Sequence, residues 1–122
     1  MSTFKRKGHS KQVWQRLQTA GRRAENKVPD AFKNFSAGWF KSLKRGSDKD
    51  DNDGVDFWIG TNLVAEPIAL QIKSNYNDAQ EARIKRPGIS VVVVRVSDSD
   101  SDVRQKVYRA VTDFVKSSSS PR

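Results

Sequence analysis

A single small α/β domain, built on a mixed β-sheet of about four strands with flanking helices, is what this sequence predicts. Three observations carry the prediction. Residues 55–59 and 68–73 alternate apolar and polar side chains around a turn-rich gap, as the two strands of a hairpin do. Residues 77–85 have helical composition and lead through Arg86-Pro87-Gly88 into a valine-rich run, so a helical crossover joins the hairpin to a further strand. Apolar residues at helical spacing mark both ends of the chain. A length of 122 residues suits one domain. It is assigned to residues 10–116, between a basic arm at 1–9 and a tail at 117–122, both expected to be disordered.

Each element has its own justification. Val13, Leu17, Ala20 and Ala24 recur at helical spacing, which predicts a helix over 10–26 with Ser10 as its N-cap. Pro29 lacks an N–H, so the helix is expected to break or kink after Val28 and to resume as a short helix over 30–35. Gly38 releases the chain into a short strand over 39–43, and residues 46–53 (GSDKDDND) read as an acidic loop. In the hairpin, setting Gly60 opposite Pro67 places Phe57 opposite Leu70 and Asp56 opposite Gln71. Val55, Phe57, Ile59, Ile68, Leu70 and Ile72 then form a core face, with Asp56, Gln71 and Lys73 together on the other. Trp58 shares the Asp56 face, where it is expected to pack beneath the first helix or to stack on a base. Four consecutive valines within 89–96 predict a strand buried on both faces and therefore central in the sheet. The Ser/Asp turn at 98–102 caps a last helix over 102–116, whose buried stripe is Val103, Val107, Ala110, Val111 and Phe114.

Composition excludes several functions. There is no Cys and a single His, His9, which removes thiolate chemistry, disulfide scaffolds, multi-His metal sites and a Ser-His-Asp triad. No apolar run approaches the roughly 18 residues of a membrane span, and no signal-peptide core follows the basic start, so a soluble cytoplasmic protein is expected. No glycine-rich phosphate loop is present. The segment ending at Gly54 fails as a calcium loop, because Lys49 and Gly60 would occupy positions that need oxygen ligands.

Charge is the strongest positive signal. Residues 1–45 carry twelve Lys and Arg against Glu25 and Asp30, a net +10, whereas residues 46–122 carry eleven against twelve, a net −1. Concentrated positive charge is the footprint of a polyanion partner. Nucleic acid is the expected one, DNA ahead of RNA, held by Lys5, Arg6, Lys7, Lys11, Arg16, Arg22, Arg23, Lys44 and Arg45.

The polar face of the hairpin carries groups for one chemistry in particular. Phosphodiester cleavage assisted by Mg²⁺ or Mn²⁺ needs a few oxygen ligands and a cation beside the attacking water. Asp56 and Gln71 offer the oxygens, and Lys73 lies two residues further on the same face.

Asp53-Gly54-Val55-Asp56, a 14-residue gap and Gln71-Ile72-Lys73 together resemble the PD-(D/E)xK nuclease superfamily, in its branch with a Gln-x-Lys third motif found in some restriction endonucleases and resolvase-like proteins. The resemblance covers residues 20–97. It implies an αβββαβ core with a C-terminal helix added, divalent-metal-dependent cleavage of DNA, and a cytoplasmic role in bacterial, archaeal or phage DNA metabolism. It implies that Asp56 and Gln71 ligate metal with the backbone carbonyl of Ile72, and that Lys73 activates water. Glu25, within Gly21-Arg22-Arg23-Ala24-Glu25, would be the acidic residue of the first helix. The amide at position 71 departs from the acidic form of the motif and removes one negative charge. Two other readings stay open: a catalytically inactive nucleic-acid-binding module on this fold, and an unrelated small basic RNA-binding or assembly protein. Cleavage of both strands would need two active sites, so a homodimer is one expectation.

Overall fold

Helix α1 (Lys11–Phe32) opens the chain and is followed by β1 (Phe40–Arg45), α2 (Asp48–Asn52), β2 (Phe57–Thr61), β3 (Ile68–Lys73), α3 (Tyr76–Lys85), β4 (Ser90–Val93) and α4 (Asp100–Ser119). The computed structural model describes the backbone of residues 11–119 and the side chains of residues 21–117. The sheet order is β1-β2-β3-β4, with the first three strands antiparallel and β4 parallel to β3. This is the α/β domain with a four-stranded mixed sheet, flanking helices and a C-terminal helix that the sequence predicts.

The hairpin register is also as expected, with Phe57 opposite Leu70 and Ile59 opposite Ile68. That pairing buries Phe57, Ile59, Ile68, Leu70 and Ile72 on one face against Ala24, Val28, Ala31 and Phe32 of α1 and Val103, Val107 and Val111 of α4. The opposite face is covered over β3 and β4 by α3, through Ala79, Ala82 and Val91. Removing this much apolar surface from water is the main stabilising term, at about 1.5–3 kcal/mol for each fully buried Val, Leu, Ile or Phe.

Four expectations need correction. Helix α1 runs unbroken through Pro29 to Phe32, so the expected separate short helix over 30–35 is absent. Pro29 deprives the Glu25 carbonyl of its helical donor, but Val28 and Ala24 before it and Ala31 and Phe32 after it are all buried in one core. Packing on both sides of the proline holds the helix together. The helix ends at Phe32, and two residues on Asn34, with a left-handed φ of 61°, turns the chain away.

Strand β4 lies at the edge of the sheet, not in its centre. Its valines are apolar on both faces because α3 covers Val91 on one face while α4 packs over the other, where Val92 is buried. Facial burial reflects the helices above and below a strand and says nothing about which strands lie beside it.

The acidic loop contains the short helix α2. Ser47 is its N-cap: the Asp50 N–H donates to Ser47 Oγ at 3.1 Å and the Ser47 N–H donates to Asp50 Oδ2 at 2.9 Å. Finally, α4 extends to Ser119, so residues 117–119 continue the helix and do not form a frayed tail. It begins at Asp100, two residues before the expected start, but the expected Ser/Asp turn does cap it, with Ser99 and Asp102 exchanging a reciprocal pair of bonds. The expected arm at 1–9 and the Ser10 cap lie outside the described residues. Among those described, no helix is long and apolar enough to cross a membrane.

Candidate active site

The carboxyl ends of β1 and β3 and the start of β2 meet at one rim of the sheet. Ligands in open α/β sheets gather beyond the carboxyl ends of the strands. Asp56 immediately precedes β2 at this rim. Its N–H donates to the Leu70 carbonyl at 2.8 Å, and its Oδ2 accepts from the Ile72 N–H at 2.7 Å. The carboxylate is therefore tied to the last turn of the β3 backbone. In an extended strand a residue's N–H and C=O point to the same edge, so the Ile72 carbonyl also points toward the Asp56 side.

Gln71 sits between these two backbone contacts, with its side chain on the Asp56 face. It is 8% exposed, and its Oε1 is buried with no hydrogen-bond partner. Such an orphaned acceptor costs about 1–3 kcal/mol and calls for an explanation. Lys73, half-buried and two residues on, lies close enough to draw the Asp56 pKa down.

Helix α1 brings Glu25 to the same rim. Glu25 and Asp56 line one cleft of about 500 Å³ with Arg22, Asn26, Arg45 and Asp51. The cleft floor depends on Gly46, where a Cβ would lie 2.5 Å from the Val55 carbonyl oxygen. Behind it Gly54 turns the chain at φ 90°, with Arg86 packed so closely that a Cβ would meet its Cδ at 2.6 Å.

The electrostatics follow from this crowding. Burial raises the Glu25 pKa above its ordinary 4.5, and the neighbouring Asp56 and Asp51 carboxylates add to the rise, while Arg45 and Arg22 oppose it. Burial likewise raises Asp56 above 3.8. The Ile72 N–H opposes that rise, Asp51 adds to it, and Lys73 and Arg45 pull it back. Carboxylates that repel one another in a partly buried cleft are a device for attracting cations. Among the described residues, no three His, Cys, Asp or Glu side chains are grouped to hold a metal by themselves. The orphaned Gln71 oxygen is of the type a hard cation takes, and it belongs to the residue next to Ile72, whose N–H holds Asp56.

The structure thus brings Asp56, Gln71, Ile72 and Lys73 together on the hairpin and Glu25 into the cleft beside Asp56. Arg22 and Arg45 line that cleft. Lys44 is exposed on the Trp58 side of β1, opposite the face that meets α1, and Arg23 is exposed on α1. Lys5, Arg6 and Lys7, and the side chains of Lys11 and Arg16, lie outside what is described.

From the sequence, Asp50, Asp51 and Asp53 read as a solvated loop of which one could assist a metal site, and the structure brings Asp51 to the cleft through α2. No periodic signal marks so short a helix. Helix α2 has no buried residue and is held by hydrogen bonds, among them that from Trp58 Nε1 to Asp50 Oδ2 at 3.0 Å. Trp58 is therefore not beneath α1, which packs on the opposite face against Phe57.

No protein-family model matches this chain, and neither a curated protein nor a solved structure is detectably similar to it.

Proposed function

We propose that this protein is a divalent-metal-dependent nuclease that cleaves phosphodiester bonds in DNA at the rim formed by Asp56, Gln71 and Lys73. The observation that carries the reading is the buried, unpartnered Oε1 of Gln71, a residue next in sequence to Ile72, whose N–H clamps the Asp56 carboxylate to the β3 backbone. An amide oxygen and a carboxylate oxygen, with the Ile72 carbonyl on the same edge, make a hard-oxygen set for Mg²⁺ or Mn²⁺, which keeps the rest of its coordination as water. A bound ion there supplies a water of lowered pKa and positive charge against the phosphate. Asp56 and Gln71 would hold the ion, and Glu25 would reach it directly or through water. Lys73 orients the attacking water by hydrogen bonding and favours its deprotonated form. The positive charge concentrated in residues 1–45 holds the phosphate backbone without reading sequence.

The test is cleavage of supercoiled, linear, single-stranded and branched DNA in Mg²⁺, Mn²⁺ or EDTA. Wild type should cut only with a divalent ion. Asp56→Ala and Lys73→Ala should each lower the rate by at least roughly 100-fold, the scale of losing a positioned acid–base or electrostatic group. DNA binding without cutting in either metal would instead favour an inactive binding module, the reading that the amide at position 71 also supports.

A further inference from the structure

Glu25 and Arg45 form a pair with an unusual setting. Their closest approach, Oε1 to NH1, is 3.8 Å, and the two side chains are 34% and 52% exposed. An ion pair this long and this wet contributes little and is easily exchanged. Arg45 is nevertheless held in place by other means. Its guanidinium lies 4.9 Å from the centroid of the Phe57 ring, and its NH2 donates to Asn26 Oδ1 at 3.2 Å. A guanidinium has five donors in a fixed fork that matches phosphate oxygens, and these contacts use only part of it. Both partners line the cleft that holds Asp56, with Arg22 beside them.

We propose that Arg45 is the phosphate-binding residue of this site and that Glu25 masks it until a divalent cation draws the Glu25 carboxylate away, so that cation and DNA bind cooperatively. The proposal rests on the metal-dependent reading above. Without a cation, the guanidinium faces the Glu25 carboxylate and its field is partly cancelled. With a cation beside Asp56, Glu25 has a stronger partner, and Arg45 stays poised on Phe57 and Asn26 with its donors turned to the incoming phosphodiester. Each ligand removes a cost from the binding of the other, and the coupling is reciprocal.

The experiment reads fluorescence anisotropy of fluorescein-labelled duplex DNA in Mg²⁺ or EDTA, with Lys73→Ala as the parent so that no cleavage intervenes. Thermal melts confirm that each variant is folded. In the parent, Mg²⁺ should tighten DNA binding roughly tenfold. Glu25→Gln should bind in EDTA as the parent does in Mg²⁺ and should lose the metal dependence. Adding Arg45→Met to Glu25→Gln should abolish that gain. Glu81→Gln, which removes an exposed carboxylate from α3, controls for net charge. The proposal is overturned if the parent shows no metal dependence, if Glu25→Gln keeps it, if the gain survives Arg45→Met, or if Glu81→Gln gives an equal gain. Cleavage that Asp56→Ala abolishes, together with a Glu25→Gln that changes nothing, would sink this inference and leave the function standing. Wild type that never cuts would sink the function, while the anisotropy series would still read the exchange between Glu25 and Arg45.

Discussion

At Gln71 a single atom separates two chemistries. An amide oxygen keeps the site one negative charge short of an acidic motif, which matches a cleft already crowded by Asp56, Glu25 and Asp51. Gln71→Glu should therefore tighten Mn²⁺ binding by roughly tenfold, about 1.4 kcal/mol, and lower the melting temperature in EDTA. Calorimetric titration with Mn²⁺ checks the first, and an unchanged affinity would remove Gln71 from the ligand set. The raised pKa values of Glu25 and Asp56 make a second prediction. Both groups hold their protons more tightly when folded. The stability they contribute is fully present below their unfolded values, near 4.5 and 3.8, and is lost as pH rises through the raised folded values. Melting temperature in EDTA should fall across that acidic interval, and Glu25→Gln with Asp56→Asn should flatten the fall. Equal slopes for wild type and the double variant would contradict the crowding that the geometry describes.

Among the elements, α1 is where local chemistry and packing disagree. A proline inside a helix costs about 3 kcal/mol relative to alanine, and here it removes the donor for the carbonyl of Glu25, a cleft residue. Pro29→Ala should raise stability by roughly 1–3 kcal/mol, the gain being trimmed by the freer unfolded chain. Urea unfolding measures it, and a destabilised variant would mean that the proline ring packs more favourably than the helix bond it replaces. The hairpin shows the opposite case. Its register was legible because a slip of one residue would turn Phe57, Ile59, Leu70 and Ile72 toward the wrong face. Helix α2 was not legible: it buries nothing, and its capping box hides within a run that composition alone assigns to a loop. The reach of Arg86 to the Asn52 carbonyl, 34 positions apart, has no local signal of any kind.

Across the whole molecule, charge and site divide the work. The excess of positive charge belongs to residues 1–45, while the hairpin residues proposed as ligands come from the near-neutral remainder. Deleting residues 1–10 removes Lys5, Arg6 and Lys7. It should make the dependence of log affinity for DNA on log salt shallower by roughly 2–3, with Mn²⁺ affinity unchanged. An unchanged salt slope would show that these residues do not touch phosphate. The sequence by itself determined the α/β class, the strand pairing of the hairpin and the grouping of Asp56, Gln71 and Lys73, because alternation with a period of two assigns every strand side chain to a face. Only the tertiary structure decided that α1 continues through Pro29, that β4 is an edge strand, that Asp51 joins the cleft, and that Glu25 confronts Arg45 beside Asp56. Each of these depends on which distant surfaces compete to be buried together, and that competition is settled by the packing of the whole chain, not by the pattern of any one segment.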